Sequence, residues 1–283
     1  MTIWYSSCWL LCRSRCMHTK ALKHIITKRF SALEKAVADI QKDFNKDAIH
    51  AFRVQTKKLR AFLRLLDLKL PNKIKKVYAA AGQIRDIQLQ LNQIRKASQA
   101  TEEPAGYLLQ LEEQLQKRKA LFMAISKENH FGSSRRKLFK KLPAKLPFDN
   151  IADFLQGEIA VILVLVSAGL NSDDDLHSTR KKIKEIIYIN ELYKEELEQH
   201  HGAVILDERS NKKALALADE LGKFVDKWVA LSLLKTGWLK NIQPEERKQL
   251  QSIQRRWQKQ KRALRKRVTS DLKSPGFRKA LKG

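Results

Sequence analysis

Five basic residues, His50, Arg53, Lys57, Arg60 and Arg64, follow one another at spacings of three, four, three and four. On an α-helix those steps keep all five side chains within roughly 80° of arc, so the cations stand in one column. Neighbours in such a column lie about 5–6 Å apart, where like charges repel by a few tenths of a kcal/mol per pair. That repulsion does nothing for a fold unless an anion neutralises it. The pattern starts again about 127 residues further on, with His177, Arg180 and Lys184. Two copies of one unfavourable arrangement point to a ligand, and a column rising about 5 Å per turn matches a line of phosphates. Arginine can grip two phosphate oxygens at once, whereas lysine supplies a flexible point charge. The two histidines can donate to phosphate and would gain charge in its field.

The overall charge agrees with a polyanionic partner. Lys+Arg 57 against Asp+Glu 30 leaves a formal net charge of +27 at pH 7, with a pI of about 10.1. An excess of this size fits nucleic acid, an acidic membrane face or a phosphate polymer, and a solvated lysine-rich surface is the plain alternative. Near the C-terminus, Lys248, Arg255, Lys259, Arg262 and Lys266 share one helical face, opposite Leu250, Ile253, Trp257, Leu264 and Val268. That face is either solvated surface or a widening of the anion surface, and Trp257 falls in the apolar frame.

Signatures of catalysis are missing. The sequence holds no Gly-rich loop ending in Lys-Ser/Thr, no His-Glu-x-x-His and no nucleophile-elbow serine. Asp173, Asp174 and Asp175 stand at a helix start, where acids complement the dipole. Asp86 and Asp226 read as partners that orient neighbouring cations, not as a metal pair. The expectation is a binding protein, not an enzyme, with no cofactor and no metal site.

The elements that must position these residues read as all-α. Only 6 prolines and 10 glycines occur, and most fall between periodic segments rich in strong helix formers. Eight helices are expected, over about 19–43, 47–70, 72–98, 103–126, 151–168, 172–201, 211–235 and 245–271. In the second, Ile49, Phe52, Leu59, Leu63 and Leu66 follow a seven-residue frame, which is bundle packing. Ser172 and Asp175 form a capping-box-like start for the sixth. The run Ile159–Leu170 reads as a buried core helix, too short for a membrane span, so no membrane partner is expected.

Residues 130–150, with Gly132, Pro143, Pro147 and several lysines, read as a linker between halves 19–129 and 151–271. Each half places its basic stripe on its second helix, and Gly82-x-x-x-Asp86 on one third helix matches Gly222-x-x-x-Asp226 on the other. The pattern predicts an internal duplication, two pseudo-symmetric four-helix bundle halves packed together. All three cysteines, Cys8, Cys12 and Cys16, precede Met17, which predicts a reducing, cytoplasmic location without structural disulfides. Residues 1–16 read as a disordered extension, or Met17 as the natural start.

The stretch His50-Ala-Phe-Arg53-Val54-Gln-Thr-Lys57-Lys58-Leu-Arg60 resembles the first motif of the CHAD domain, an α-helical family marked by a histidine and helical basic residues in each of two halves. Gly82-Gln-Ile-Arg85-Asp86 is similar to the family's Gly-x-x-Arg-Asp signature, and His177-Ser-Thr-Arg180-Lys181-Lys182-Ile-Lys184 resembles its second motif. The resemblance covers about 19–271 and implies binding of inorganic polyphosphate, with some bacterial members accompanying polyphosphate granules. It implies a site made of His50, Arg53, Lys57, Lys58, Arg60, Arg64 and Arg85, together with His177, Arg180, Lys181 and Lys184. The face bearing Arg255, Lys259 and Arg262 is a candidate extension of that site.

The chain departs from the family pattern in the second half. Ile187-Tyr188 stands where the family has Arg-Tyr, Val225-Asp226 replaces Asn-Asp, and Glu191 occupies the place that Arg64 holds in the first stripe. These changes predict one strong phosphate track and a weaker counterpart. The alternative partner is nucleic acid, bound by the same cations without regard to sequence. Single-strand binders interleave stacking aromatics among their cations, and the first stripe contains none.

Overall fold

A computed structural model describes residues 16–98, 103–197, 207–234 and 242–277. Residues 1–15 lie outside it, with Cys8, Cys12 and most of the expected extension, as do residues 198–201 at the expected end of the sixth helix. Strand β1 (Cys16–His18) leads into α1 (Thr19–Asp43), α2 (Lys46–Leu65), α3 (Asn72–Ser98) and α4 (Ala105–Glu128). Helix α5 (Gly132–Phe139) and strand β2 (Lys145–Pro147) follow. The remaining helices are α6 (Phe148–Ser167), α7 (Asp173–Leu197), α8 (Glu208–Leu233) and α9 (Pro244–Lys273).

Local chemistry sets the helix ends. The Asn45 side chain accepts the Asp47 amide at 2.7 Å, and Asp207 accepts the Ser210 amide at 2.6 Å, each satisfying an otherwise orphaned donor. The expected capping box forms: the Asp175 amide donates to Ser172 Oγ at 3.0 Å and the Ser172 amide donates to Asp175 Oδ2 at 2.8 Å. Helix α2 ends five residues earlier than expected. Its chain turns left-handed at Asp67 (φ 52°), and Pro71 bars helix from the residue before it. Helix α1 ends at Phe44, also left-handed (φ 55°), whose ring is anchored edge-on against Phe122 at 5.8 Å.

The segment expected as a plain linker is structured. It carries α5, and β2 pairs antiparallel with β1, Met17 facing Leu146 at the centre of the register. The run Ile159–Leu170 also differs from expectation. Ile151, Leu155, Glu158, Ile162 and Val166 form the buried face of α6, while Val161 and Val164 are exposed. Helix α6 is therefore half-buried at the edge of the body. It is the one described helix long and apolar enough to cross a membrane by length and composition.

In the first half α1 packs on α2, α2 on α3 and α3 on α4; in the second, α6 packs on α7, α7 on α8 and α8 on α9. The halves meet where α2 crosses α7 and α3 crosses α8. A single hydrophobic cluster runs from Met17 to Phe277 through both halves, with Phe30, Phe52, Phe62 and Phe224 among its fully buried side chains. Truncating one such ring to alanine costs about 3–5 kcal/mol. The core thus fixes α2 against α7, and with it one basic stripe against the other.

Candidate functional site

Helix α2 buries Ile49, Phe52, Leu59 and Leu63, which turns the first stripe toward one side of the crossing with α7. Helix α7 does the same by burying Leu176, Ile183 and Ile187. The two stripes therefore do not form separate tracks. They converge on Lys57, which is half-buried and lies in the combined field of Arg180 from α7, Arg53 and Arg60 from α2, and Arg85 from α3. Burial and then those four guanidiniums bring Lys57 down to about 7. Among the described residues, no ion pair joins Arg53, Lys57, Arg60, Arg85, Arg180 or Lys181 to a carboxylate.

The histidines report the same field. Burial, then Lys181 and Arg180, depress His177 to about 4, with Lys57 adding to the effect and Asp174 opposing it. Burial, then Arg85 and Lys57, lower His50, against the pull of Asp47. Two buried polar atoms at the crossing, His177 Nδ1 and Arg180 Nε, find no hydrogen-bond partner. A buried guanidinium N–H without an acceptor is costly unless a ligand supplies one. Asp86 on α3 is pushed up by burial and by Asp226 of α8, against the pull of Arg53 and Arg85. Among the described residues, no group of three or more His, Cys, Asp or Glu could hold a metal ion.

The motif glycines serve the arginines. A Cβ at Gly82 would lie 2.5 Å from Arg53 Nη1, so α3 offers the guanidinium a slot that any other residue would fill. Gly222 does the same for Arg180 with more room, at 3.4 Å. Tyr78, one turn before Gly82, lies under both Arg53 and Arg60, 4.6 and 5.0 Å from ring centroid to guanidinium carbon. Its carbonyl accepts Arg53 Nη1 at 3.5 Å. Such cation–π stacking holds an arginine in place while leaving its charge uncancelled.

Sequence reasoning missed Tyr78, because nothing in the period of α3 marks it as facing α2. Other rings were missed in the same way. Tyr188 lies 5.9 Å from the Lys58 ammonium, Phe154 lies 5.6 Å from the Arg64 guanidinium, and the Trp228 ring is 5.6 Å from that of His177. The stripe is free of aromatics in sequence but not in space.

Not every expected cation joins the cluster. Arg64 is clasped by Glu185 of α7 and by Glu158 of α6, the latter at 3.0 Å. Glu158 also takes Lys182 at 2.8 Å. Burial opposes the Glu158 carboxylate, yet Lys182, Glu185 and Arg64 hold it below its usual range. Lys58 pairs with Glu191 at 2.8 Å, and Lys184 pairs with Asp219 of α8 at 3.5 Å. Ile187, where a cation was expected to be missing, is fully buried, so its position faces core and not the anion side.

Helix α9 presents Arg255, Lys259 and Arg262 to solvent, opposite the buried Leu250, Ile253, Trp257 and Val268. Arg262 lines a groove of about 370 Å³ with Trp228, Gln254 and Gln258, which places it nearest the second stripe. Asp173 stands in the first turn of α7, as expected, and also reaches α9, pairing with Lys261 and with Arg265 at 2.5 Å.

Comparison with known proteins places this arrangement. The profile of the CHAD domain family matches residues 24–235. No curated protein matches the sequence significantly. Among solved structures, the chain is similar to the CHAD domain from the plant Ricinus communis, with a TM-score of 0.71 and 16% identity over 99% of this chain and 96% of that one. It is also similar to PptA from Streptomyces chartreusis, with a TM-score of 0.63 and 13% identity over 91% of this chain and 99% of that one. At such identities the structural likeness shows the fold alone, but the sequence profile covers most of the chain and takes in both basic motifs: the chain belongs to the CHAD domain family.

Proposed function

We propose that this protein binds inorganic polyphosphate at the crossing of α2 and α7, without catalysing its turnover, and that it works in the cytoplasm, including at polyphosphate granules. The observation that carries the proposal is Lys57, a half-buried ammonium among guanidiniums from three helices with no carboxylate in reach. Such a cluster is destabilising on its own, and a polyanion with one charge per unit relieves it while releasing its counterions. Family membership supports the choice of ligand. The deciding experiment is competition at about 0.15 M salt, with long-chain polyphosphate against DNA and RNA. Polyphosphate is expected to displace both, and equal or better displacement by nucleic acid would overturn the proposal.

Nucleic acid is the second reading, and Trp228 is what favours it. Its half-buried ring stands between His177 and the groove that holds Gln254, Gln258 and Arg262. Stacked bases contribute about 1–3 kcal/mol each to single-strand binding. Tyr78 is not free for that role, since its ring already carries two arginines.

The chain also reads as an internal duplication, and several contacts support this. The first arginine of each stripe enters a glycine slot on the third helix of its own half, Arg53 at Gly82 and Arg180 at Gly222. The strands before the first helix of each half pair centre to centre, Met17 on Leu146. Arg64–Glu185 and Lys58–Glu191 are related in the same way: shifted by the 127 residues that separate the stripes, each pair becomes the other with its charges reversed.

A further inference from the structure

The stripe on α2 is five basic residues long in sequence, but its last member, Arg64, is electrically silent. Arg64 faces two carboxylates, Glu158 and Glu185, and Lys58 faces Glu191. Glu158 is 5% exposed, so its charge is built into the body and not a mobile surface feature. These acids come from α6 and α7 and close the C-terminal end of the α2 column. Toward the other end, Arg53 and Lys57 form no ion pair among the described residues, and their field continues across the seam to Arg180.

We infer that Glu158, Glu185 and Glu191 form a carboxylate wall that determines the path and length of the bound anion. The chain of phosphates crosses from α2 to α7 over Lys57 and is turned away before Arg64. A polymer that ran along α2 would bring its negative charges against Glu185 and would have to break the Arg64 pairs. The site therefore engages a short run of phosphates, and longer polymers gain only by offering more such runs. This inference rests on the phosphate-polymer reading above and specifies which cations the polymer engages.

The test is titration of the full chain with polyphosphate of defined lengths at several salt concentrations. Glu191→Gln leaves Lys58 without a carboxylate, and Glu185→Gln leaves Arg64 and Lys182 sharing Glu158 alone, so each adds one net positive charge next to the track. Affinity is expected to rise about fivefold for each, the gain typical of one cation beside a polyanionic surface. The slope of log affinity against log salt should steepen by about 1, and the chain length at which affinity levels off should increase. Glu112→Gln makes the same change of net charge at the Arg95–Glu112 pair joining α3 and α4 and sets the baseline for long-range attraction. The double variant Lys58→Gln with Glu191→Gln removes a neutral pair and should match wild type.

Glu191, less buried than Glu185, keeps the test usable if the Glu185 variant fails to fold. Wild-type binding with both single variants at the Glu112→Gln level, or a double variant that loses affinity, would overturn the wall. Absence of polyphosphate binding in wild type would instead overturn the reading beneath it.

Discussion

Lys57 and Lys184 hold the same place in their stripes, seven residues after their histidines, and end in opposite electrical states. Lys184 reaches Asp219 on α8 at 3.5 Å. Lys57 meets Arg53, Arg60, Arg85 and Arg180, and no carboxylate. One acid decides the difference: the first is a charge seeking a counterion, and the second already has one. The asymmetry between the halves therefore does not follow the two stripes as units. Arg180 and His177 of the second stripe belong with Lys57, whereas Lys58 and Arg64 of the first belong with the acids.

The most severe challenge to this division is to cut the cluster on both sides of the seam. Arg53→Ala with Arg180→Ala is expected to weaken polyphosphate binding at least about a hundredfold, since charge-assisted contacts contribute about 1.5–3 kcal/mol each. If the Arg180→Ala variant alone binds like wild type, the stripes act separately and the crossing is not the site.

The glycine slots sharpen the comparison without touching a charge. Gly82→Ala puts a Cβ 2.5 Å from Arg53 Nη1, the movable end of a long side chain. The arginine should yield, weakening binding about tenfold, while the helix gains about 0.5–1 kcal/mol from the alanine. Gly222→Ala, with 3.4 Å to Arg180, should stabilise similarly and leave affinity within about twofold. Thermal melts beside binding isotherms separate the two effects, and equal losses at both glycines would contradict the tighter slot in the first half.

Proton linkage isolates Lys57 itself. With the free ammonium near 7, its charged form fades as the pH rises through neutrality, and a bound polyanion, which favours that form, restores the proton. Binding should therefore take up a proton, and affinity should fall by up to about tenfold between pH 6 and 8. Lys57→Arg should keep the affinity and flatten the profile. Calorimetry in two buffers of different ionisation enthalpy measures the uptake, and a steep profile that survives Lys57→Arg would move the linkage elsewhere. The smallest effect is expected at Lys184→Ala, within about twofold of wild type, because the charge removed is already paired.

Much of the fold was legible because helices write their period into the chain. The seven-residue frame of α2 appears as its buried face, and the Ser172–Asp175 box closes as its spacing implies. The segment 130–150 misled because its strand is only three residues long and exists through pairing with β1, far away in sequence. Helix α6 misled because an apolar run does not say how much of it a neighbour covers.

The candidate site divides along the same line. Spacing determined that His50, Arg53, Lys57, Arg60 and Arg64 share a face, and that His177, Arg180 and Lys184 share another, because helical geometry is local. What each face meets depends on residues more than a hundred positions away: Glu185 for Arg64, Glu191 for Lys58, Arg180 for Lys57. Those encounters decide which cations keep their charge free. By itself the sequence determined where the positive charges stand on each helix. Only the packing of α2 across α7 decided which of them remain unneutralised, because electrostatic energy depends on distance through space and not along the chain.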